Sequence, residues 1–130
     1  MKRKPKKSYK QLRSAADKLC FQIYLKEKCE VCGKKAVYLH HFWYKRNYPH
    51  LRFDPDNLIS LCISCHPALH FQDPKKIEDK IREIRGEKWY KKLQKMAQNR
   101  PKGSYLTTEW YEKQIQKLHK ISSLKNFASD

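Results

Sequence analysis

The sequence predicts a small α+β fold, in which a short β segment lies between two cysteine pairs and amphipathic helices flank it on both sides. The 130 residues leave room for one compact domain and an appendage. Two Cys-x-x-Cys motifs, Cys29/Cys32 and Cys62/Cys65, bracket the centre of the chain. Residues 36–42 are rich in β-forming side chains. Apolar residues outside this region recur with helical spacing, so helices are expected before and after it.

A helix is expected from residue 14 to about residue 28. Its apolar positions recur every three to four residues and form one stripe: Leu12, Ala16, Leu19 and Ile23. Cys20 lies beside this stripe, where a free cysteine usually serves as a small buried apolar residue. Residues 1–13 hold seven basic residues and no acidic one, which predicts a flexible basic arm.

Three further amphipathic helices are expected after residue 72. The first has Asp73 as its N-cap and Pro74 at its first position, and it stops near Gly86. The second ends near Asn99, and the third begins near Thr107. Their apolar stripes comprise Ile77, Ile81 and Ile84, then Trp89, Leu93, Met96 and Ala97, then Tyr111, Ile115 and Leu118. We therefore expect an arm at 1–13, a core at 14–72, and a helical extension at 73–130 that packs on or beside the core.

The net charge indicates a polyanionic partner. The chain carries 30 Lys and Arg against 13 Asp and Glu, a formal charge of +17. Neutralising the phosphates of nucleic acid is the commonest reason for such an excess. No apolar stretch is long enough to span a bilayer, and no secretion signal is recognisable. We expect a cytoplasmic protein that binds nucleic acid and not a membrane, although charge alone does not separate a nuclease from a binding protein.

The cysteine pairs predict a structural zinc site. An odd cysteine count in a reducing compartment argues against a disulfide framework. Cys29, Cys32, Cys62 and Cys65 offer four thiolates for a closed tetrahedral site, the arrangement that holds structural zinc. In the alternative assignment, a histidine replaces one of these cysteines.

Four histidines predict a second metal site. His66 and His70 are four residues apart on the expected helix 62–71, so they share one face. Cys65 and His66 are neighbours, turned about 100° from each other, so they should face different ions. A third ligand would come from either His40 or His41. Adjacent strand residues point in opposite directions, so the other one would be available as a general base acting on water.

The order of these motifs resembles the HNH (ββα-metal) endonucleases of the four-cysteine subclass. The order is Cys-x-x-Cys, His-His, Asn-Leu, then Leu-Cys-x-x-Cys-His. The resemblance is carried by Cys29, Cys32, His40, His41, Asn57, Cys62, Cys65, His66 and His70. It implies a ββα-metal core stapled by the zinc site and an enzyme that hydrolyses DNA phosphodiester bonds.

The resemblance also implies a role for each matched residue. His40, His66 and His70 would bind a catalytic divalent ion, His41 would be the general base, and Asn57 would pin the loop that carries the base. The candidate ions are Mg²⁺, Mn²⁺, Ni²⁺ and Zn²⁺, and three imidazoles favour the last three over Mg²⁺, which prefers oxygen ligands.

A narrower likeness extends to small phage HNH proteins, including Rap (NinG)-type recombination nucleases. It rests on the segment 51–55 before Asn57, the helix that starts at Asp73-Pro74, Gly86 and the pair Trp89-Tyr90. It implies a phage-encoded enzyme of DNA recombination, packaging or processing. Its substrate would be branched DNA, duplex cut at a preferred site, or DNA cut with little preference. A homodimer would supply two sites for a double-strand cut, although no dimer interface can be identified from the sequence.

Three basic residues of the loop between the histidine pair and Asn57 are candidates for phosphate contacts: Lys45, Arg46 and Arg52. The main rival hypothesis is a zinc-ribbon nucleic-acid-binding module without catalysis, which explains the cysteines and the charge but not the four histidines. A zinc deaminase is excluded because Leu61, not proline, precedes Cys62 and no glutamate follows the histidines in the required pattern.

Overall fold

The computed structural model describes residues 6–102 and 107–128. Residues 1–5 of the expected basic arm lie outside this range, as do residues 103–106 and 129–130. The chain divides into two compact units. We call Tyr24–Pro101 the central unit, and Met1–Ile23 together with Lys102–Asp130 the terminal unit. The boundaries expected after residues 13 and 72 stay predictions.

Helix α1, Tyr9–Tyr24, begins five residues earlier than expected. The reason is a reciprocal capping box: the Ser8 amide donates to Gln11 Oε1 (2.9 Å), and the Gln11 amide donates to Ser8 Oγ (3.3 Å). Residues 9–13 of the expected arm are therefore helical. Leu12, Ala16 and Cys20 are buried, so the prediction that Cys20 is a core residue is confirmed.

The other helix of the terminal unit runs over Thr108–Ala128 and is called α5 below. Thr107 is its N-cap, since Thr107 Oγ1 accepts a hydrogen bond from the Trp110 amide (3.2 Å). Tyr111 and Leu118 are buried. Lys125 Nζ donates to the Ile23 carbonyl at the C-terminal end of α1 (2.8 Å), where a basic side chain stabilises unpaired carbonyls.

The central unit begins with a two-stranded antiparallel sheet, β1 (Tyr38–His41) and β2 (Leu58–Leu61). Tyr38 pairs with Leu61, and His41 pairs with Leu58. Every residue of β2 is buried. The intervening loop contains two 3₁₀ turns, Pro49–Leu51 and Pro55–Asn57. These turns lie in the loop that leads from the end of β1 back to the start of β2, where His41 pairs with Leu58.

The helix expected at 62–71 has a different form. Helix α2 is one short α-helical turn, Cys65–Pro67, followed by a π-helical turn, Ala68–Gln72. Ser64 is the N-cap and makes no side-chain capping bond, while Cys62 Sγ accepts the Cys65 amide (3.3 Å). The wider turn closes through the Asp73 amide on the Ala68 carbonyl (2.8 Å).

Helices α3 (Pro74–Arg85) and α4 (Glu87–Gln98) complete the central unit. Asp73 caps α3, with its carboxylate accepting the Lys76 amide (3.1 Å), and Gly86 ends it at a φ of 95°, which only glycine adopts readily. One apolar cluster joins α3 to the sheet and to the cysteine region: Cys29, Ile59, Leu61, Cys62, Leu69, Ile77 and Ile81. A second joins α4 to the loop: Leu51, Leu93 and Ala97. Helices α3 and α4 therefore share their core with the part of the central unit that precedes residue 73.

A partly buried ion pair ties α3 to the first cysteine motif. The guanidinium of Arg85 donates to both oxygens of Glu30, at 2.9 and 2.8 Å, and their side chains are 15% and 11% exposed. Arg85 also donates to the Leu58 carbonyl (2.7 Å), and Glu30 accepts the Ser60 amide (2.8 Å). The pair thus fixes the cysteine motif, strand β2 and helix α3 to one another. Within the two stretches that the structure describes, no helix has both the length and the apolar character needed to cross a bilayer.

Candidate metal centres and nuclease site

The four paired cysteines converge in the central unit. Their sulfur atoms all lie within 4.8 Å of one another, and Cys32 Sγ lies 3.4 Å from Cys62 Sγ. Sulfurs on the edges of a zinc tetrahedron are about 3.8 Å apart, given a Zn–S bond of about 2.3 Å. Gly33, at a φ of 79°, supplies the left-handed turn that points Cys29 and Cys32 at the same place. The cluster contains only cysteines, as the primary prediction had it, and is arranged to hold a zinc ion.

The environment of Cys62 favours the thiolate, which is the form that binds metal. Burial opposes the charge, but hydrogen bonds from the backbone amides of Cys65 and Ser64 outweigh burial and lower the pKa of Cys62 to about 6. Cys29 and Cys62 are buried within the apolar cluster. Cys32 is exposed and Cys65 is half-buried, so a metal at this site would link two distant motifs at the edge of the core, which is a structural role.

Three histidines form a second cluster. His40 comes from β1, and His66 and His70 come from α2 and its π-helical turn. One ring nitrogen from each lies within 4.8 Å of the others, and His66 Nε2 is 3.0 Å from His70 Nε2. The sequence left open whether His40 or His41 joins this set. In the part of the chain that the structure describes, the clustered residue is His40.

His40 has the features of a metal ligand. Its side chain is 4% exposed, and Nε2 is buried with no hydrogen-bond partner among the described residues. Burial, followed by the nearby rings of His70 and His66, lowers the pKa of His40 to about 3, so the ring is neutral and keeps a lone pair. A buried polar atom without a partner requires an explanation. A divalent ion held by the three nitrogens supplies one, so the residues fit a metal.

His41 is held by the backbone of the loop. Its Nε2 lies 2.8 Å from the Arg52 carbonyl. A carbonyl only accepts, so Nε2 carries the hydrogen, and in the neutral ring the lone pair is on Nδ1. His41 lines a cleft of about 640 Å³ together with the three clustered histidines. The cleft therefore contains a histidine whose tautomer is fixed beside a candidate metal site.

Asn57 is fully buried and fastens the loop that supplies this carbonyl. Its Oδ1 accepts the Trp43 amide (2.7 Å), and its Nδ2 donates to the carbonyls of Trp43 (3.0 Å) and Leu51 (3.2 Å). Leu51 immediately precedes Arg52. The amide of Asn57 therefore fixes both the start of the loop and the segment that meets His41.

The basic loop residues differ in position. Lys45 and Arg46 line the same cleft as the histidines. Arg52 contributes its carbonyl to His41, while its guanidinium lies 5.9 Å from the centroid of the Phe53 ring. Arg52 is not one of the described residues that line the cleft.

Two tyrosines at the site were not identified from the sequence. Tyr38 stacks on His66 with ring centroids 4.3 Å apart and planes 22° apart, and Tyr44 lies parallel to His70 with centroids 6.5 Å apart. Alternation along β1 offered a signal for Tyr38, because residues 38 and 40 share one face of the strand. Tyr44 lies in an irregular loop, where no such periodicity exists.

Comparison with known proteins agrees with this geometry. Residues 29–72 match the family model described as HNH endonuclease. The chain has no significant match among curated proteins or among solved structures. The matched segment contains both clusters of candidate metal ligands together with His41 and Asn57. Residues 29–72, which are less than half of the chain, therefore match an HNH endonuclease domain.

Proposed function

We propose that the protein is a metal-dependent DNA endonuclease that hydrolyses phosphodiester bonds with one catalytic metal ion and a histidine base. The observation that carries the proposal is the convergence of four histidines in one cleft. Three of them cluster their nitrogens within 4.8 Å, and His41 stands beside them with Nε2 held by a carbonyl. A binding module has no need for this arrangement.

In this proposal the two clusters have different ions. The four cysteines hold a structural Zn²⁺, and His40, His66 and His70 hold the catalytic ion. A divalent ion there, whether Mg²⁺, Mn²⁺, Ni²⁺ or Zn²⁺, would stabilise the charge that develops on the phosphate and on the leaving 3′ oxygen. Three protein ligands leave coordination positions open, as catalysis requires.

His41 is the general base of the proposed reaction. Its Nδ1 takes a proton from water as the water oxygen forms a bond to phosphorus, and the bond from phosphorus to the 3′ oxygen breaks in line. The products are a 5′ phosphate and a 3′ hydroxyl, which takes its proton from solvent. The resulting imidazolium keeps its Nε2 hydrogen bond to the Arg52 carbonyl, whose partial negative charge stabilises the cation.

Asn57 acts as a positioning residue, because it fixes the loop whose carbonyl orients His41. Lys45 and Arg46 contact the phosphates of a strand in the cleft, which they line, and Arg52 contacts a phosphate farther along the loop. Residues 14–72 carry the nuclease core, and the helices within 73–130 support it. The apolar cluster that Ile77 and Ile81 share with Leu61 supports this role for α3.

The resemblance to small phage proteins supports a more specific setting. We propose action in the cytoplasm, of a bacterial host if the protein is phage-encoded, on duplex or branched DNA during recombination, packaging or processing. Cleavage of four-way junctions compared with linear duplex of the same sequence tests the branched substrate. Production of nicked or linear plasmid distinguishes a single site from the paired sites of a homodimer.

The central test compares the wild-type protein with His41→Ala on supercoiled plasmid across a panel of divalent metals. Removing a general base slows a reaction by about 10²- to 10⁴-fold, so we expect His41→Ala to cut at least about 100-fold more slowly while binding DNA normally. His119→Ala is the matched control, because His119 is exposed on α5 and does not line the cleft. EDTA should abolish cleavage by the wild-type protein.

Two results would contradict the proposal. A wild-type protein that binds DNA but cuts with none of the metals would favour the zinc-ribbon binding module. Equal cleavage by the wild type and by His41→Ala, with equal zinc content, would remove His41 from its role as the base.

A further inference from the structure

A second cleft of the central unit lies next to the catalytic one. It has a volume of about 340 Å³, within the range of small-ligand sites, and shares Tyr44 and Asn47 with the catalytic cleft. The loop that carries Lys45 and Arg46 therefore borders both spaces. The two clefts therefore adjoin at Tyr44 and Asn47.

Aromatic side chains form most of the wall of this second cleft, which we call the aromatic pocket. Phe42, Trp43, Tyr48 and Tyr90 all line it. Trp43 and Tyr48 meet edge to face, with centroids 5.0 Å apart, and Phe42 and Tyr90 do so at 6.2 Å. These rings are half-buried, so each still presents surface to the pocket. Aromatic walls of this kind bind flat π systems, and nucleobases stack on them.

The polar edge of the pocket is acidic, in contrast to the net charge of the chain. Glu78 and Asp79 line it from α3. Arg82 also lines it, but its guanidinium is paired with Glu87 (2.5 and 2.8 Å) and lies over the Tyr90 ring at 3.7 Å. The half-buried Glu78 carboxylate has no hydrogen bond or ion pair within the described stretches, and burial together with Asp79 raises its pKa. Glu78 therefore offers a carboxylate to which no described protein group donates.

These features identify the ligand by its chemistry. Two carboxylates repel a phosphate, so the pocket is not a second phosphate site. An exocyclic amino group supplies the missing donor, as in the pairing of Glu or Asp with the amino group of cytosine. Uracil and thymine present carbonyl oxygens at the corresponding position, and these repel a carboxylate.

We propose that the aromatic pocket binds an unstacked nucleobase with an exocyclic amino group, taken from the DNA strand that occupies the neighbouring catalytic cleft. The inference rests on the proposed function, because it takes DNA as the ligand of that cleft. It gives the nuclease a preference for DNA whose bases are already unpaired and for amino-bearing bases near the cut. Stacking on the aromatic rings favours unpaired bases, and a hydrogen bond from the amino group to a carboxylate favours amino-bearing bases.

The test measures binding of single-stranded oligodeoxycytidine and oligodeoxyuridine of equal length by fluorescence anisotropy, at one fixed salt concentration. The two strands have identical backbones and differ at position 4 of each base, which is an amino or a carbonyl group, and at N3, which is an acceptor in cytosine and carries a hydrogen in uracil. A good contact to a base edge discriminates by about 1–3 kcal/mol, so we expect the wild-type protein to prefer oligodeoxycytidine by about tenfold. Glu78→Ala should reduce this preference to about onefold.

Glu83→Ala is the matched control, because Glu83 is an exposed residue of the same helix and does not line the pocket. Both substitutions raise the net charge by one, so a gain in affinity common to both strands cancels. Glu83→Ala should keep the wild-type preference. Unchanged melting temperatures establish that both variants are folded.

Three results would overturn the inference: no preference in the wild-type protein, a preference that survives Glu78→Ala, or failure to bind either strand. Plasmid cleavage remains a separate readout. If the protein cuts plasmid but shows no base preference, the proposed nuclease function stands and the nucleobase-binding role of the aromatic pocket is rejected. If the protein prefers oligodeoxycytidine through Glu78 but does not cut plasmid, the nucleobase-binding role of the pocket stands and the proposed nuclease activity is rejected.

Discussion

The cysteine cluster and the histidine cluster lie close together in sequence, yet their surroundings differ. Cys29 and Cys62 are buried in the main apolar cluster, which also includes Ile77 and Ile81 of α3. The histidines line a cleft that is open to solvent, and His70 is exposed. The first cluster offers four sulfurs, and the second offers three nitrogens. The difference teaches that neighbouring residues, Cys65 and His66, can belong to two separate candidate metal sites with different donor atoms.

Breaking the cysteine cluster should have the largest effect. Structural zinc contributes about 10–16 kcal/mol to folding in small domains, which is comparable to the whole stability of a typical domain, about 5–15 kcal/mol. We expect Cys62→Ser to lose the zinc and the cooperative unfolding of the central unit, and cleavage with them. Zinc content and a thermal melt followed by circular dichroism measure both effects.

Cys20→Ala is the control for that experiment, because Cys20 is buried in the terminal unit and is not part of the cluster. It should keep the zinc of the wild-type protein. Full zinc content and an unchanged melt in Cys62→Ser would show that the four cysteines do not form the structural site.

The Arg85–Glu30 pair tests the cysteine cluster in a second way, because it holds the first cysteine motif in place without providing a metal ligand. Removing one partner of a buried ion pair leaves the other charge uncompensated and costs about 3–5 kcal/mol. Glu30 keeps the Ser60 amide, so we expect Arg85→Met to lower the free energy of unfolding by about 3 kcal/mol. Urea unfolding of the zinc-loaded protein measures the change.

Arg82→Met is the matched control on the same helix. Arg82 pairs with Glu87, and both side chains are largely exposed, at 40% and 57%. Exposed pairs contribute little to stability because water screens them. If Arg82→Met lowers the free energy of unfolding as much as Arg85→Met does, the contribution of the Arg85–Glu30 pair does not come from its burial.

Local sequence signals predicted the parts of the fold and site that depend on neighbouring residues. The spacing of the cysteines predicted a cluster that the structure contains, and the Asp73-Pro74 start and Gly86 end of α3 are confirmed. The capping box at Ser8 and Gln11 was a local signal that the basic character of the segment obscured. The histidine spacing alone left His40 and His41 as alternatives.

Contacts between distant residues were beyond the sequence. Glu30 and Arg85 are 55 positions apart, and no periodicity relates them. The carbonyl that orients His41 belongs to the backbone of Arg52, and a backbone atom has no sequence signature. The sequence singled out Arg52 for its charge, whereas the structure shows a contact through its main chain. The aromatic pocket likewise combines a loop with two helices, so it appears only once these elements are packed.

The smallest expected effect lies on the histidine side, at Tyr38. Its ring stacks on His66 with centroids 4.3 Å apart, so it restricts the rotation of a candidate metal ligand. Because 40% of the residue is exposed, it contributes little to the core. An aromatic pair contributes about 0.5–1.5 kcal/mol beyond its buried area, which corresponds to roughly two- to tenfold in a rate or affinity. We expect Tyr38→Leu to slow cleavage by that factor at limiting metal and to recover at saturating metal. Tyr38→Phe, which keeps the ring, should match the wild type. A loss in Tyr38→Phe equal to that in Tyr38→Leu would assign the effect to the hydroxyl group instead of the stacked ring.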